Sequence, residues 1–232
     1  MQFKLLFLGT GTSQGVPMIG CNCVVCNSKN LKDKRFRTSV LIKIKNLNIL
    51  IDIGPDFRSQ MLMANNSIIN SILITHQHRD HTAGLDDIRP IYYLNRIPIQ
   101  LYGEYNVLKS IKHDFQYLFD GPIYPGKPEI NLNEINNNPF FISDIKITPI
   151  RVMHHKLPVF GYRIGDLSYV TDANYISSEE KKKIIGSKIL IINSLQRESH
   201  ISHYNLEESL KLIKELCPEK AYLTHISHNM GL

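Results

Sequence analysis

The sequence has 232 residues and a net charge of +6, and it is 43% hydrophobic and 21% charged. This composition excludes a disordered polymer and is typical of a globular chain, and the length suits one domain over residues 1–232. The positive charge would suit an anionic substrate or nucleic acid, but a compositional bias towards Ile, Asn and Lys explains it better, so the charge carries little weight.

The sequence shows no targeting or membrane segment. The N-terminal MQFKLLFLGTGT has only a few apolar residues before Gly9, fewer than the ~7–15 that a signal peptide needs. No run approaches the ~20 apolar residues of a membrane helix. We therefore expect a cytoplasmic protein without a membrane partner.

Strand-like runs recur along the whole chain. They are rich in branched apolar residues and many are bounded by Gly, Pro, Asn or Asp, which is the pattern of short strands. The predicted strands lie within FKLLFLG (3–9), TSVLIKIKNLNILIDIG (38–54), SIINSILIT (67–75), PIQLYG (98–103), DIKITPIRV (144–152), FGYRIGDLSYVTD (160–172), SKILIIN (187–193) and KAYLTH (220–225).

Three helices are predicted between these strands from their N-terminal signals. One follows Pro55, a second begins at Ser177 with Glu180 three residues later, and a third begins at Asn205 with Glu208 three residues later. In the third helix, four apolar residues fall on one predicted face. These residues are Leu206, Leu210, Ile213 and Leu216.

The segment 120–139 is rich in Pro, Gly and Asn, and it predicts a long loop that interrupts the domain without ending it. Hairpin-spaced strands occur early and late, and helices accompany each set. An α/β layered fold with more than one sheet fits this order better than a doubly wound sheet, whose strands alternate regularly with helices.

The stretch THQHRDH follows the apolar run SIINSILIT and holds four ligand-type residues. At an extended strand end, His76 and His78 point the same way, so they can share a metal ion. If the chain then turns, with Gly84 giving room, Asp80 and His81 can serve a second ion. A lone histidine here would be structural, but four such groups need partners, and a metal is the most economical one.

Other strand-like runs also end on ligand-type residues. His154 follows ITPIRVM, Asp172 ends LSYVTD, and His225 follows AYLT. Any one of them could be a satisfied polar group at a sheet edge, but their recurrence favours a common site. His155 is a rival to His154, and the position directly after the strand favours His154.

Three of the four cysteines lie in CNCVVC. Disulfides at this spacing would be strained, so metal ligation by Cys21, Cys23 and Cys26 is expected, with an iron–sulfur cluster as the alternative to zinc. Cys217, at the end of an amphipathic helix, is predicted to be a core residue. The glycines between Gly9 and Gly15 predict a tight turn and not a phosphate-binding loop, because no Lys-Ser/Thr follows.

The order HxHxDH, then a His, an Asp and a late His resembles the metallo-β-lactamase superfamily. The stretches GTGTSQGVPMIGCNCVVC, DIGPDFR and GLDDIRP resemble its phosphoribosyl cyclic phosphodiesterase (PhnP-like) branch, from the carbon–phosphorus lyase pathway. The resemblance runs from Gly9 to His228. It implies an αββα fold, with two mixed β-sheets between helix layers, and a homodimer.

The resemblance also implies the ligand sets. One ion would be held by His76, His78 and His154, another by Asp80, His81 and His225, and Asp172 would bridge them. The ions would be Zn²⁺ or Mn²⁺. A third, structural zinc would be held by Cys21, Cys23, Cys26 and His228.

Further roles are assigned to residues around this core. Asp80 and His203 are the predicted catalytic residues, with His203 as general acid or phosphate contact, although it could simply cap the following helix. His200 and Arg89 are predicted substrate contacts, and a salt bridge from Arg89 to a neighbouring aspartate is an equally good interpretation. Asp52 is expected to orient a ligand histidine.

The predicted function is hydrolysis of a small, anionic, cyclic phosphodiester, such as a cyclic ribose phosphate, by hydroxide held between two metal ions. One alternative is a transfer-RNA 3′-processing endonuclease, although the single lysine of the 120–139 loop, Lys127, makes a nucleic-acid partner unlikely. Another is a non-catalytic metal-binding relative, which the whole HxHxDH core argues against. True β-lactamases are disfavoured, since they place a cysteine where Asp172 stands.

Members of this branch usually continue for a strand or two beyond the last HxxH, whereas four residues follow His228 here. We therefore expect either a truncated chain or a short second sheet, with His225 and His228 on a terminus prone to fraying.

Overall fold

The computed structural model describes residues 2–120 and 126–231, and the chain divides into two compact units. The first-sheet unit consists of Gln2–Gly9 and Thr38–Asn136. The second-sheet unit consists of Thr10–Arg37 and Asn137–Leu232. Each unit contains one six-stranded sheet.

The first sheet is mixed. Its first three strands pair antiparallel, and the last four pair parallel. The strands follow the order of the chain: β1 (Phe3–Gly9), β2 (Ser39–Ile44), β3 (Leu47–Ile51), β4 (Ser71–Leu73), β5 (Ile99–Gly103) and β6 (Ile130–Glu134).

Five helices belong to the first-sheet unit. They are α2 (Phe57–Ala64), α3 (Arg79–Thr82), α4 (Arg89–Asn95), α5 (Tyr105–Asp114) and α6 (Gln116–Phe119), and a 3₁₀ turn at Leu85–Ile88 precedes α4. The core joins apolar side chains of the sheet with one face of these helices, such as Leu50, Ile72 and Leu101 with Phe57 and Ile111.

The second sheet is mixed as well. Its strands also lie in the order of the chain, and the first four pair antiparallel whereas the last three pair parallel. The strands are β7 (Phe140–Ile142), β8 (Ile145–His154), β9 (Leu157–Ile164), β10 (Leu167–Val170), β11 (Ile189–Asn193) and β12 (Lys220–Thr224).

The second-sheet unit contains α1 (Val24–Asn27), α7 (Ser178–Ile184) and α8 (Leu206–Leu216), with 3₁₀ turns at Leu31–Asp33 and His228–Met230. Its core packs Ile150, Val170 and Ile192 of the sheet against Ile184 and Leu212 of the helices.

The predicted helix starts are confirmed. Asn205 and Glu208 form a reciprocal capping box at α8, and the hydroxyl of Ser177 accepts a hydrogen bond from the backbone N–H of Glu180. The predicted face of α8 is wrong at Leu210, which is exposed, because the buried face is formed by Ser209, Leu212 and Leu216. The buried face of α8 is narrower than the predicted apolar face, and Leu210 lies outside it.

Two other expectations from the sequence are corrected. Cys217 is exposed and not a core residue, because it ends α8 in the left-handed conformation, at φ 50°. The predicted loop 120–139 contains β6, which pairs with β5 in parallel register, whereas residues 121–125 lie outside the described part of the chain.

All eight predicted strand runs contain strands, and the α/β class with two mixed sheets is confirmed. The second sheet has as many strands as the first, so the expectation of a short second sheet is wrong. Within residues 2–120 and 126–231, no helix is long and apolar enough to cross a membrane.

Candidate metal centre

The HxHxDH motif lies in the first-sheet unit, directly beyond β4. His76 is fully buried, and its Nε2 lies 3.0 Å from Nδ1 of His78. Two ligands of a tetrahedral zinc ion at ~2.0–2.1 Å would be about 3.3 Å apart, so this spacing fits one shared cation. The two imidazoles therefore converge as the i, i+2 spacing predicts.

The chain then turns into α3, with His78 at its N-cap position. This turn brings a second pair of donors together, because Nε2 of His81 lies 3.1 Å from Oδ2 of Asp80. An imidazole nitrogen and a carboxylate oxygen at that distance suit a second cation.

Asp52 orients His81 of the motif through a hydrogen bond. It follows β3 with φ 62°, is fully buried, and its Oδ2 accepts a hydrogen bond from Nδ1 of His81 at 2.7 Å. With Nδ1 protonated, His81 presents Nε2 towards Asp80. Burial raises the pKa of the Asp52 carboxyl, and the hydrogen bonds from His81 and Thr75 oppose that shift.

Thr75 connects Asp52 to His76 and orients that histidine as well. Its hydroxyl donates to Oδ2 of Asp52 at 3.0 Å and lies 2.9 Å from Nδ1 of His76. A hydroxyl with its single proton already given to a carboxylate can only accept, so Nδ1 of His76 carries the proton and Nε2 is left as a ligand atom. The role of Thr75 has no signal in the sequence beyond its place before the histidine.

Two glycines permit this packing. A Cβ on Gly54 would lie 2.1 Å from the carbonyl oxygen of Asp80, and a Cβ on Gly84 would lie 2.1 Å from that of Gly54. This close approach lets the backbone N–H of Ile53 donate a hydrogen bond to the carbonyl oxygen of His81 at 2.8 Å. Gly84 has negative φ, so close approach and not turn conformation is the reason for glycine there.

The second-sheet unit contains its own cluster of ligand-type residues, at the ends of its strands. His154 ends β8, Asp172 follows β10, and His225 follows β12. Asp172 and His225 are both buried with φ 55°, and Nε2 of His225 lies 3.1 Å from Oδ1 of Asp172. The left-handed backbone at Asp172, His225 and Asp52 costs of order 1 kcal/mol each, a strain typical of functional sites.

The geometry distinguishes the two adjacent histidines after β8. Nδ1 of His154 lies 3.0 Å from the carbonyl oxygen of Ser202, which leaves Nε2 as the ligand atom. His155 is exposed, with φ 55°, and its backbone N–H donates to Asn174. The structure therefore places His154, and not His155, in the cluster.

His203 lies inside this cluster. Its ring stacks on that of His225 at 4.7 Å, and its ligand atom lies within 4.8 Å of those of His154 and Asp172. Burial lowers the pKa of His203 to about 3, and His225 adds to the shift. His200 is more exposed, with its ring 5.3 Å from that of His203, and burial lowers its pKa as well.

The predicted structural site is assembled within the second-sheet unit. Nδ1 of His228 lies 3.3 Å from the sulfurs of both Cys21 and Cys23, and Cys26 completes a group of four ligand atoms within 4.8 Å of one another. Sulfur and nitrogen ligands of one tetrahedral zinc would be about 3.5 Å apart, so the four side chains fit such an ion.

Backbone contacts support these thiols as ligands. The N–H of Cys26 donates to the sulfur of Cys23 and that of Met18 to the sulfur of Cys26, both at 3.4 Å. The N–H of Cys26 and the ring of His228 lower the pKa of Cys23 to about 6, whereas burial raises that of Cys26. The nearby chain is fixed by a hydrogen bond from the N–H of Ile226 to the carbonyl of Thr10 at 2.8 Å.

Arg89 forms an ion pair with Asp86 and lies over the ring of Tyr117, 5.2 Å from its centre. The salt bridge that the sequence offered as one interpretation is therefore present. Its role as a substrate contact stays a prediction.

The comparisons with known proteins cover nearly the whole chain. The β-lactamase superfamily domain matches residues 47–226. A solved structure of a diphosphatase from the PhnP family superposes with a TM-score of 0.92 at 33% identity, and the match covers 98% of this chain and 88% of that one.

Two curated proteins with different activities are also similar to the chain. An octanoyltransferase of Porphyromonas gingivalis (strain ATCC BAA-308 / W83) is 40% identical over 232 residues, which are 99% of this chain and 47% of that protein. A ribonuclease Z of Exiguobacterium sp. (strain ATCC BAA-1283 / AT1b) is 26% identical over 169 residues, or 69% of this chain and 48% of that protein.

The chain spans about half the length of the curated relatives it matches. The family and the fold, in contrast, are shown by matches over most of the chain. The predicted metallo-β-lactamase fold is confirmed, and the chain belongs to the metallo-β-lactamase superfamily, in its PhnP-like branch.

Proposed function

We propose that the protein is a metal-dependent phosphodiesterase acting on a small, anionic, cyclic phosphodiester such as a cyclic ribose phosphate. The observation that carries this proposal is the HxHxDH motif, in which two pairs of donor atoms, 3.0 Å and 3.1 Å apart, face two adjacent positions. The ligand atoms of the two pairs belong to different groups of mutually close donors, which favours two cations over one.

The ligand sets proposed are those of the family. His76, His78 and His154 would hold one ion, and Asp80, His81 and His225 the other, with Asp172 bridging. The orientation of each half within its own unit supports this assignment, because the Nδ1 atoms of His76, His81 and His154 face hydrogen-bond partners and leave Nε2 as the ligand atom. A mixed nitrogen and carboxylate set suits Zn²⁺ or Mn²⁺.

Two such cations, when bound, supply hydroxide near neutral pH and offset the charge of the phosphoryl oxygens. The chain itself must deliver a proton to the departing oxygen, and His203 is the candidate donor. Burial opposes protonation of His203, whereas the carboxylate of Asp172, 3.8 Å away, favours it. A bound phosphate would add to the effect of Asp172.

The first test is hydrolysis of bis(p-nitrophenyl) phosphate and a 2′,3′-cyclic nucleotide, with metals counted on the same sample. We expect activity on both substrates in the wild type and its loss in Asp80→Ala. Asp56→Ala is the matched control, since Asp56 precedes α2 and belongs to none of the groups of close ligand-type residues. A full metal complement without activity on either substrate would reject the phosphodiester assignment.

A second candidate is hydrolysis of an octanoyl ester or thioester. The relative named octanoyltransferase, matched over 99% of this chain, favours it. Octanoyl thioesters therefore belong in the same assay, together with a precursor transfer RNA for the ribonuclease alternative. Turnover of the thioester alone would replace the phosphodiesterase proposal, and cleavage of the RNA alone would favour the nuclease.

A further inference from the structure

The turn after β10 places Asp172 in an uncommon backbone conformation. Asp172 is buried and has φ 55°, in the left-handed region that non-glycine residues rarely adopt. β10 ends two residues earlier, at Val170, so regular strand pairing does not impose this conformation. Another contact must therefore hold the turn, because such a conformation persists only where its surroundings enforce it.

The side chain of Asn193 supplies that contact. Asn193 is the last residue of β11 and is fully buried. Its Oδ1 accepts a hydrogen bond from the backbone N–H of Ala173 at 2.8 Å, and its Nδ2 donates to the carbonyl oxygen of Ala173 at 2.9 Å. A carboxamide offers both an acceptor and a donor, as a backbone peptide group does. Asn193 therefore bonds the residue after Asp172 in the way that a neighbouring strand would.

These two bonds fix the backbone on both sides of Ala173. The N–H of Ala173 belongs to the peptide group that follows Asp172, so its bond to Asn193 determines the direction in which the chain leaves Asp172. The carbonyl oxygen of Ala173 belongs to the next peptide group, and it also accepts a hydrogen bond from the N–H of Tyr204 at 2.7 Å. Asn193 is thus bonded to the turn at a point that is shared with the neighbour of His203.

Asn193 is itself held in place by two other elements. Its backbone pairs with that of Thr224 in β12, and its carbonyl oxygen accepts a hydrogen bond from the hydroxyl of Ser209 in α8 at 2.8 Å. Both partners are fully buried. A side chain on such a rigid support can hold the group that it bonds in one position.

The turn determines where the carboxylate of Asp172 points. Its Oδ2 accepts a hydrogen bond from the hydroxyl of Thr171 at 2.6 Å. Its Oδ1 lies 3.1 Å from Nε2 of His225 and 3.8 Å from Nδ1 of His203. A different backbone angle at Asp172 would move Oδ1 away from both rings.

We propose that Asn193 is a positioning residue of the metal centre, which holds the backbone turn that directs Oδ1 of Asp172 towards His225. Both hydrogen bonds of its side chain go to Ala173, so it acts through the backbone and not as a ligand. This inference rests on the proposed function, in which Asp172 bridges the two ions. A purely stabilising role for Asn193 would lower the free energy of unfolding without changing the affinity for metal.

The test measures Zn²⁺ affinity by competition with a chelator, and the midpoint of urea unfolding, on the full chain. In Asn193→Ala we expect the affinity of the cluster around Asp172 to fall at least about tenfold, whereas the cysteine site keeps its ion. Asn193→Asp retains the size and the acceptor but loses the donor, so it should show the same loss if the alanine variant does not fold.

Ser168→Ala is the matched control, because it removes a buried hydrogen bond to Ser187 at the other end of β10. It should lower the midpoint of unfolding and leave the metal affinity unchanged. An unchanged affinity in the Asn193 variants, or an equal loss of affinity in Ser168→Ala, overturns the proposal.

A double-mutant cycle tests whether Asn193 acts through Asp172. With Asp172→Ala already present, Asn193→Ala should cause no further loss of metal affinity, although it should still lower the midpoint of unfolding. Losses of affinity that add would overturn the proposal. Hydrolysis of bis(p-nitrophenyl) phosphate is measured on the same samples. A wild type that binds its metals and shows the non-additive loss, but leaves the diester intact, would support the positioning role and reject the phosphodiesterase assignment.

Discussion

The carboxylate of Asp52 and the imidazole of His81 form a fully buried pair, with Nδ1 of the histidine 2.7 Å from Oδ2 of the aspartate. This bond fixes the histidine so that its other nitrogen faces Asp80. A residue 29 positions earlier in the chain therefore determines which ligand atom the HxHxDH motif offers.

Asp52→Asn should weaken metal binding at the HxHxDH motif about 10–100-fold. The amide is a poorer acceptor from His81, and its NH₂ group faces the N–H of Thr75 or the ring of His81. Competition with a chelator measures the affinity, and Asp56→Asn serves as the control. An unchanged affinity would show that Asp52 acts on the fold alone.

Cys23→Ser should remove one metal ion per chain and lower the melting temperature. Loss of even 3 kcal/mol of the about 10–16 kcal/mol that a structural zinc can contribute corresponds to about 6–12 °C in a chain of this size. Elemental analysis and calorimetry measure both effects. Cys217→Ser is the matched control, because Cys217 is exposed and outside the four-residue group. An unchanged metal count would contradict the assignment.

His203→Ala should lower kcat about 10²–10⁴-fold on a substrate with a poor leaving group. The loss should be much smaller on bis(p-nitrophenyl) phosphate, since p-nitrophenolate departs without a proton. His203 is near enough to His154 and Asp172 to be a metal ligand. The metal content of the variant therefore distinguishes a ligand from a proton donor. Loss of metal would identify a ligand, and equal losses on both substrates would exclude a proton donor. His113→Ala, at an exposed histidine, is the control.

Glu180→Gln should lower the unfolding free energy at neutral pH by about 1–3 kcal/mol. Burial alone would raise the pKa of Glu180, but hydrogen bonds from Lys183, Asn137 and the N–H of Arg151 outweigh it, and the pKa is lowered from 4.5. A lowered native pKa stabilises the fold above the unfolded value and loses that effect as the pH falls through the native value.

The difference between wild type and Glu180→Gln should therefore shrink below about pH 4.5, as urea unfolding at several pH values would reveal. Glu179→Gln removes an exposed charge paired with Lys182 and should cost less than about 0.5 kcal/mol. A difference for Glu180→Gln that is independent of pH would contradict this explanation.

The positions that the sequence predicted best are those where an apolar run ends on a ligand-type residue. His76, His154, Asp172 and His225 all lie at or just beyond strand ends, where the apolar runs that mark these strands stop. The i, i+2 spacing was sufficient to predict that His76 and His78 converge.

Other features depend on contacts that no local pattern carries. The left-handed backbone of Asp52, Asp172 and His225 is imposed by the surrounding fold, and non-glycine residues give no signal for it. Strand β6, INLNE, was hidden because its asparagines favour loops, whereas its pairing with β5 overrides that preference. Cys217 faces outward because α8 ends there in a left-handed turn.

The cysteine site joins residues that are 207 positions apart in the chain, Cys21 and His228. At a synthesis rate of ~5–20 residues per second, the three thiols precede the histidine by roughly 10–40 s. Throughout that interval a nascent chain can offer a zinc ion three ligands but not the fourth. The site can therefore close only after the last strand of both sheets has been synthesised, because β12 ends at Thr224, before His228.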